Sequence, residues 1–472
     1  MGADYNSGGR LADGLASVAQ PVDSIAPLPN DRLTIALDRP MDSESNIWKQ
    51  HLEHVALTDV GMRRGNNQDS FAVVLAGDPQ HFLSRGHVFV VADGMGAHAA
   101  GELASKMAAD GIPHTYNKLA DQPAPAAIVK AVQDANAMIH QRGHSSPDFS
   151  GMGTTSSTLV LLPHGAMVAH AGDSRIYRVR GPAIEQLTFD HSLQWEMRAA
   201  GGVAPELLPK NVITRSLGPH PKVQVDLEGP FPVQVGDKFL LCSDGLSGQV
   251  TDEEIGAFLN AMPIAEAAQS LIDLANLRGG PDNTTIIIAK ILSTELHQPT
   301  ESLVVQHSDG KAAQRRSVPF MVTGGALALL AVVFIAVRQW IPAAISGGLA
   351  VLAGIIALAT KLRANIGPSV LPPGAMLGKG PHTRSNATPN AGIVASVSKV
   401  VDQLREAAAA EKWPIDWFKF DPLMTNARIA SANGDFAKAL RETARAMSTL
   451  LGQLKKVNLK RRRVESDEVD LA

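Results

Sequence analysis

Apolar positions in this chain fall into short runs of β-branched and aromatic residues, separated by polar, glycine-rich turns, with helix-period stretches among them. Residues 55–59 predict a strand leading into Gly61, and 70–75 a second. Residues 88–92 read as a buried strand that stops at Asp93-Gly94-Met95-Gly96. Residues 102–119 and 126–141 repeat apolar positions at three and four, so two helices are expected to cover one sheet face. Strands follow at 151–162 and 166–171, joined by a turn at 163–165, and the extended pattern resumes at 176–180. Segment 190–222 is irregular and predicts a short helix plus a mobile stretch. A strand at 238–242, an amphipathic helix at 264–277 and a last strand at 284–291 complete this part.

The pattern then changes character. Residues 318–337 and 341–360 are uncharged runs of about 20 residues, enough at about 1.5 Å per residue to cross a bilayer core. Arg338-Gln-Trp340 separates them, while Lys311, Arg315 and Arg316 precede and Lys361 and Arg363 follow. The excess of basic residues outside the loop predicts a two-helix transmembrane hairpin with both ends in the cytoplasm, and hence a multi-pass inner-membrane protein. The remaining divisions are a disordered arm at 1–47, a linker at 294–317, a flexible Pro/Gly/Ser/Asn-rich linker at 361–392 and an α-helical tail at 393–472. Residues 430–440 carry a tetratricopeptide-like pattern, which a single helical hairpin accounts for.

Composition narrows the chemistry. The 472 residues are 45% apolar with a formal charge of −3, ample for a core and without the basic excess of a nucleic-acid binder. One cysteine, Cys242, excludes an internal disulfide framework and a cysteine-based zinc cluster, and fits a reducing compartment.

Four carboxylates recur where apolar strands meet turns: Asp69, Asp93, Asp244 and Asp282. A lone carboxylate in such a place is costly to desolvate, and several close together repel one another, so the set calls for cations. Hard oxygen donors, with a carbonyl at Gly94 freed by a tight turn, suit Mg²⁺ or Mn²⁺. Arg64 offers the planar fork that matches a phosphate. Asp173 is read differently, as a turn residue satisfied locally and by pairing with Arg175.

Six motifs in order then define a resemblance. Thr58-Asp-Val-Gly with Arg64 and Asn67-Gln-Asp69, Val91-Ala-Asp-Gly-Met-Gly96, Met152-Gly-Thr-Thr155, Gly172-Asp-Ser-Arg175, Cys242-Ser-Asp-Gly245 and Asp282-Asn-Thr284 together resemble the bacterial metal-dependent Ser/Thr protein phosphatases of type 2C. The resemblance spans residues 55–291 and implies an α+β fold, a four-layer α/β/β/α sandwich over about 48–293. It implies two Mn²⁺ or Mg²⁺ ions, one held by residues matching Asp69, Asp93 and the Gly94 carbonyl, the other by Asp93, Asp244 and Asp282. Hydrolysis of phosphoserine and phosphothreonine in proteins would use a metal-bridged water, with Arg64 on the phosphate. His98 is assigned as general acid, beside the alternative of a histidine that merely opens a helix.

Gln68 stands where many relatives have Glu. Gly151 stands where bacterial members commonly carry an Asp that helps to hold a third metal, so that third site is one carboxylate short. Phosphorylated proteins are the implied partners, with a Ser/Thr kinase acting in opposition. The rival reading is a catalytically weak membrane adaptor that binds phosphorylated partners.

Overall fold

Strand residues in the centre of this protein are apolar on both sides because both of their faces are covered. The computed structural model describes residues 33–35, 48–96, 99–201, 208–209, 212–295, 304–305, 351, 369–370 and 376–469. Two antiparallel sheets stack face to face. The first runs in the order β1 (Leu33–Ile35), β2 (Leu52–Asp59), β12 (Thr284–Ile291), β11 (Lys238–Cys242), β8 (Arg175–Arg180), β9 (Ala183–Gln186), β15 (Thr383–Asn386). The second runs β10 (Asp226–Phe231), β7 (Gly165–Ala171), β6 (Ser156–Leu162), β4 (His87–Met95), β3 (Asp69–Val74), with β5 (Gly153–Thr154) on the end of β4.

Alternation along each strand divides the core into layers. Phe89 and Val91 of β4, Phe239 and Leu241 of β11, and Ile287 and Ala289 of β12 meet between the sheets. Their neighbours turn outward: Val88, Val90 and Ala92 lie under the helices Ala100–Lys118 and Ala124–Gly143. Leu240, Cys242, Ile286 and Ile288 lie under Asp252–Ala261 and Ile264–Leu277. Double coverage is what makes these runs near-continuously apolar. The expected two-sheet, helix-flanked sandwich is therefore present, and Cys242 is buried between the first sheet and its helices.

The C-terminal part adds a further layer. Helices Ala391–Ala410, Trp417–Ala432 and Phe436–Val469 share one apolar core with the helix layer beneath, where Val397, Val401, Leu440 and Met447 join Ile255, Phe258 and Leu271. A strap leads into them. Leu377 forms a bridge with Gly229, the Glu228 carboxylate accepts from the backbone N–H of Lys379 and Gly380 at 2.8 Å each, and β15 then pairs with β9. Within 361–392, expected to be a flexible linker, residues 376–386 are thus tied to both sheets. Main-chain pairing at a sheet edge leaves no apolar period to read: β15 is Thr-Arg-Ser-Asn, alternately half-buried and exposed.

Two further expectations change. Strand β4 continues through Asp93 and Gly94 to Met95, because β3 pairs one edge and β5 the other. The multi-pass inner-membrane reading is corrected: among the described residues no helix is long and apolar enough to cross a membrane. The runs 318–337 and 341–360 that carried it lie, apart from Val351, outside the described residues.

Candidate active site

Strand register brings the carboxylates together. Asp69 opens β3 directly opposite Asp93 of β4, so two acids face each other across one antiparallel pair. Asp244 opens the short helix Asp244–Ser247 at the end of β11, and Asp282 sits in the turn before β12. The sheets are sewn together at this edge. Ser243 Oγ donates to Asp69 Oδ2 at 2.7 Å, linking β11 of one sheet to β3 of the other. Asn283 Oδ1 accepts from Gln68 N at 2.8 Å, and its amide donates to the carbonyls of Val60 at 2.8 Å and Asn66 at 2.9 Å. This one side chain pins the loop that carries Arg64.

Glycine is required twice by close approach. A Cβ on Gly245 would run into the Asn283 carbonyl, and one on Gly94 into the carbonyls of Gly101 and Gln68. The Asp-Gly pairs therefore reflect backbone packing around the acids.

The electrostatics are those of an uncompensated cluster. Burial raises the Asp69 carboxyl to about 7, against hydrogen bonds from Ser243 and Thr285, with Asp244 and Asp282 raising it further. Asp93 is pushed well above the usual carboxylate range by burial and then by Asp69, Asp244, Asp173 and Asp282. Asp244 rises to about 6 through burial and Asp282. Asp69 Oδ1, Asp173 Oδ1 and Asp244 Oδ1 are buried without a hydrogen-bond partner. Orphaned anionic oxygens converging from several strands fit a cation site, and the all-oxygen donor set fits a hard divalent ion.

The set is not closed into a ready-made cage. Among the described residues no three His, Cys, Asp or Glu side chains close around one point as metal ligands. Asp282 explains part of this, since its Oδ2 pairs with Arg64 Nη2 at 2.7 Å and its Oδ1 accepts from Asn283 N at 2.9 Å.

Asp173 is the residue that sequence reasoning passed over. Burial, Asp244 and Asp190 raise it to about 7. Its supposed partner is engaged elsewhere: Arg175 binds Asp190 at 2.7 to 3.0 Å and reaches Tyr177 Oη at 2.9 Å. The Gly172-Asp-Ser-Arg motif held the signal, but an Asp two residues from an Arg invites the local pairing that β8 prevents. His98 lies outside the described residues. Gly151 adopts φ +73 with open space around its α-carbon, so no carboxylate reaches in from that position.

The family model for protein phosphatase 2C matches residues 63–276. Protein phosphatase PhpP of Streptococcus pneumoniae is 35% identical over 255 residues, covering 51% of this chain and 98% of that protein. Serine/threonine protein phosphatase PstP of Mycobacterium tuberculosis is 35% identical over 254 residues, covering 52% of this chain and 46% of that one. The crystal structure of the PstP catalytic domain in complex with two manganese ions aligns at 34% identity and a TM-score of 0.43, covering 52% of this chain and 99% of that one. The chain belongs to the protein phosphatase 2C family. It is a serine/threonine protein phosphatase of the PhpP and PstP type. The adaptor alternative has no support among these relatives, all phosphatases by name.

Proposed function

We propose that Asp69, Asp93, the Gly94 carbonyl, Asp244 and Asp282 hold two Mn²⁺ or Mg²⁺ ions, and that the site hydrolyses phosphoserine and phosphothreonine in proteins, in opposition to a Ser/Thr kinase. The observation that carries this reading is the pair Asp69 and Asp93, facing across β3 and β4 with raised carboxyls and an orphaned oxygen. Bound there, the ions supply Lewis acidity and lower the pKa of coordinated water.

The chain's own groups do the rest. Ser243 and Thr285 orient Asp69, and Thr285 is itself held by Thr58 at 2.7 Å between the hydroxyls. Arg64, with 48% of its side chain exposed, is free to present its guanidinium to phosphate oxygens in place of Asp282. His98 is the group we assign to protonate the leaving serine or threonine oxygen. Gly151 provides no carboxylate, so two ions rather than three are expected.

The test is release of phosphate from phosphoserine and phosphothreonine peptides by the full chain. Turnover supported by Mn²⁺ or Mg²⁺ and lost in EDTA is expected. Turnover indifferent to EDTA would remove the metal reading, and none with either ion would remove the hydrolytic one.

A further inference from the structure

We propose that His140 and His144 form a second metal site, separate from the carboxylate cluster and selective for an imidazole-seeking ion such as Zn²⁺ or Ni²⁺. Both residues stand at the end of helix Ala124–Gly143, one inside its last turn and one at its C-cap. Four residues apart, they share a helix face. Their ring centroids are 4.2 Å apart with planes inclined at 52°.

The backbone fixes which nitrogen faces outward. His140 Nδ1 lies 2.8 Å from the Gly218 carbonyl, and His144 Nδ1 lies 2.8 Å from the His140 carbonyl. A carbonyl oxygen only accepts, so each Nδ1 carries the hydrogen. In the neutral ring each Nε2 then keeps its lone pair, and neither has a hydrogen-bond partner among the described residues. A ligating histidine characteristically donates its other N–H to a backbone carbonyl, which fixes ring orientation and raises ligand basicity. Both rings meet that condition before any ion arrives. Arg142, which lies between them in sequence, is drawn aside over the Phe149 ring, 4.4 Å from its centroid.

The platform is tied to its surroundings by hydrogen bonds. Asn136, one turn earlier on the same face, accepts from Gly218 N at 2.9 Å and donates to the His220 carbonyl at 3.1 Å. Leu217 pairs with Thr154, which in turn pairs with Gly94. The helix end is therefore fastened to the returning limb of segment 190–222. Two imidazoles with water in the remaining positions suit Zn²⁺, Ni²⁺ or Cu²⁺, whereas the carboxylate cluster suits Mg²⁺ and Mn²⁺. The carboxylate cluster can also take Zn²⁺, Ni²⁺ or Cu²⁺, so dependence on both histidines is what distinguishes the second site.

Titration of Zn²⁺ into the full chain carrying Asp244→Asn, followed calorimetrically with excess Mg²⁺ present, tests the proposal. One saturable equivalent is expected, weakened about tenfold or more by adding His144→Ala or His140→Gln. His144 is exposed, and circular dichroism checks that each variant folds. Binding unchanged by both substitutions, or only weak unsaturable uptake, overturns the proposal. Cu²⁺ bound by the same protein is expected to show electron paramagnetic resonance coupling to two nitrogens, and two-nitrogen coupling that survives His144→Ala would count equally against it.

Discussion

Arg64 and Asp282 hold each other across the mouth of the carboxylate cluster, Nη2 to Oδ2 at 2.7 Å, though they lie on different loops 218 residues apart. With side chains 48% and 26% exposed, the pair contributes little to folding, within about 1 kcal/mol. Its value lies in where it leaves a guanidinium. Arg64→Ala is expected to raise KM for phosphopeptides and lower kcat/KM by about tenfold to a hundredfold, a loss of roughly 1.4 to 2.8 kcal/mol in transition-state binding. Steady-state kinetics beside a melting curve checks this, and a large fall in Tm with unchanged kinetics would assign Arg64 a structural role instead.

Mutual repulsion among Asp69, Asp93, Asp173 and Asp244 weakens the metal-free protein. Asp244→Asn removes one of the buried acids. In EDTA this variant is expected to melt higher than the parent, and its gain in Tm on adding Mn²⁺ to be smaller. Differential scanning calorimetry in both conditions reads the two effects, and an Mn²⁺ gain equal to the parent's would show that Asp244 does not help to hold the ion.

Glu228 is the anchor of the C-terminal strap. Its Oε2 accepts two backbone N–H groups, from Lys379 and Gly380, and Oε1 lies 3.2 Å from His382 Nε2. Glu228→Ala leaves those donors unpaired and is expected to destabilise by about 2 kcal/mol, while Glu228→Gln keeps an acceptor and costs less. Urea unfolding measures the difference. Hydrogen exchange at Lys379 and Gly380 should quicken in Glu228→Ala, and protection equal to the parent's would mean that the strap is held by other contacts.

Two groups that touch His191, namely His170 and Asp226, weaken the sandwich as pH falls, in two successive windows. Burial, and then the neighbouring His191, lowers His170 from an ordinary value of 6.5 to about 3. The unfolded chain takes up this proton below pH 6.5 and the folded one does not, so stability falls by up to about 1.4 kcal/mol per pH unit between about 6.5 and 3. For Asp226 burial acts upward, but hydrogen bonds and charge from His191 and Arg215 prevail and bring it from 3.8 down to about 2. Its contribution, full above 3.8, is lost as pH drops through that range to about 2. The raised carboxyls of Asp69, Asp93, Asp173 and Asp244 act in the opposite sense, so each contribution is read as a difference: as pH falls, urea-derived stability of the parent should drop relative to His170→Gln below about 6.5 and relative to Asp226→Asn below about 3.8. A difference between parent and variant that does not change with pH would contradict the assignment for that residue.

Much of this was legible because the strands are short and strongly apolar. The runs at 88–92, 238–242 and 284–291 marked the sandwich interior, and the acids at their ends marked the edge where the carboxylates gather. What the pattern could not express was pairing. Nothing in Val88 to Ala92 reveals that β4 extends through Asp93, since that depends on Asp69 and Thr154 arriving from elsewhere. The same holds for β15, whose polar residues are ordered by β9 and by Glu228. Asp173 was missed because sequence proximity suggested Arg175 as its partner, whereas the guanidinium turns to Asp190. The hydrophobic runs beyond residue 317 carried a membrane reading that the described helices do not support.

The central claim is that the facing carboxylates Asp69 and Asp93 hold the ions on which turnover depends, and one substitution reaches it directly. Phosphothreonine-peptide turnover should be measured for the full chain and for Asp93→Ala at saturating Mn²⁺, with circular dichroism confirming that both are folded. The account predicts a loss of about a thousandfold or more, roughly 4 kcal/mol of transition-state stabilisation. A folded Asp93→Ala protein that keeps its turnover would contradict it.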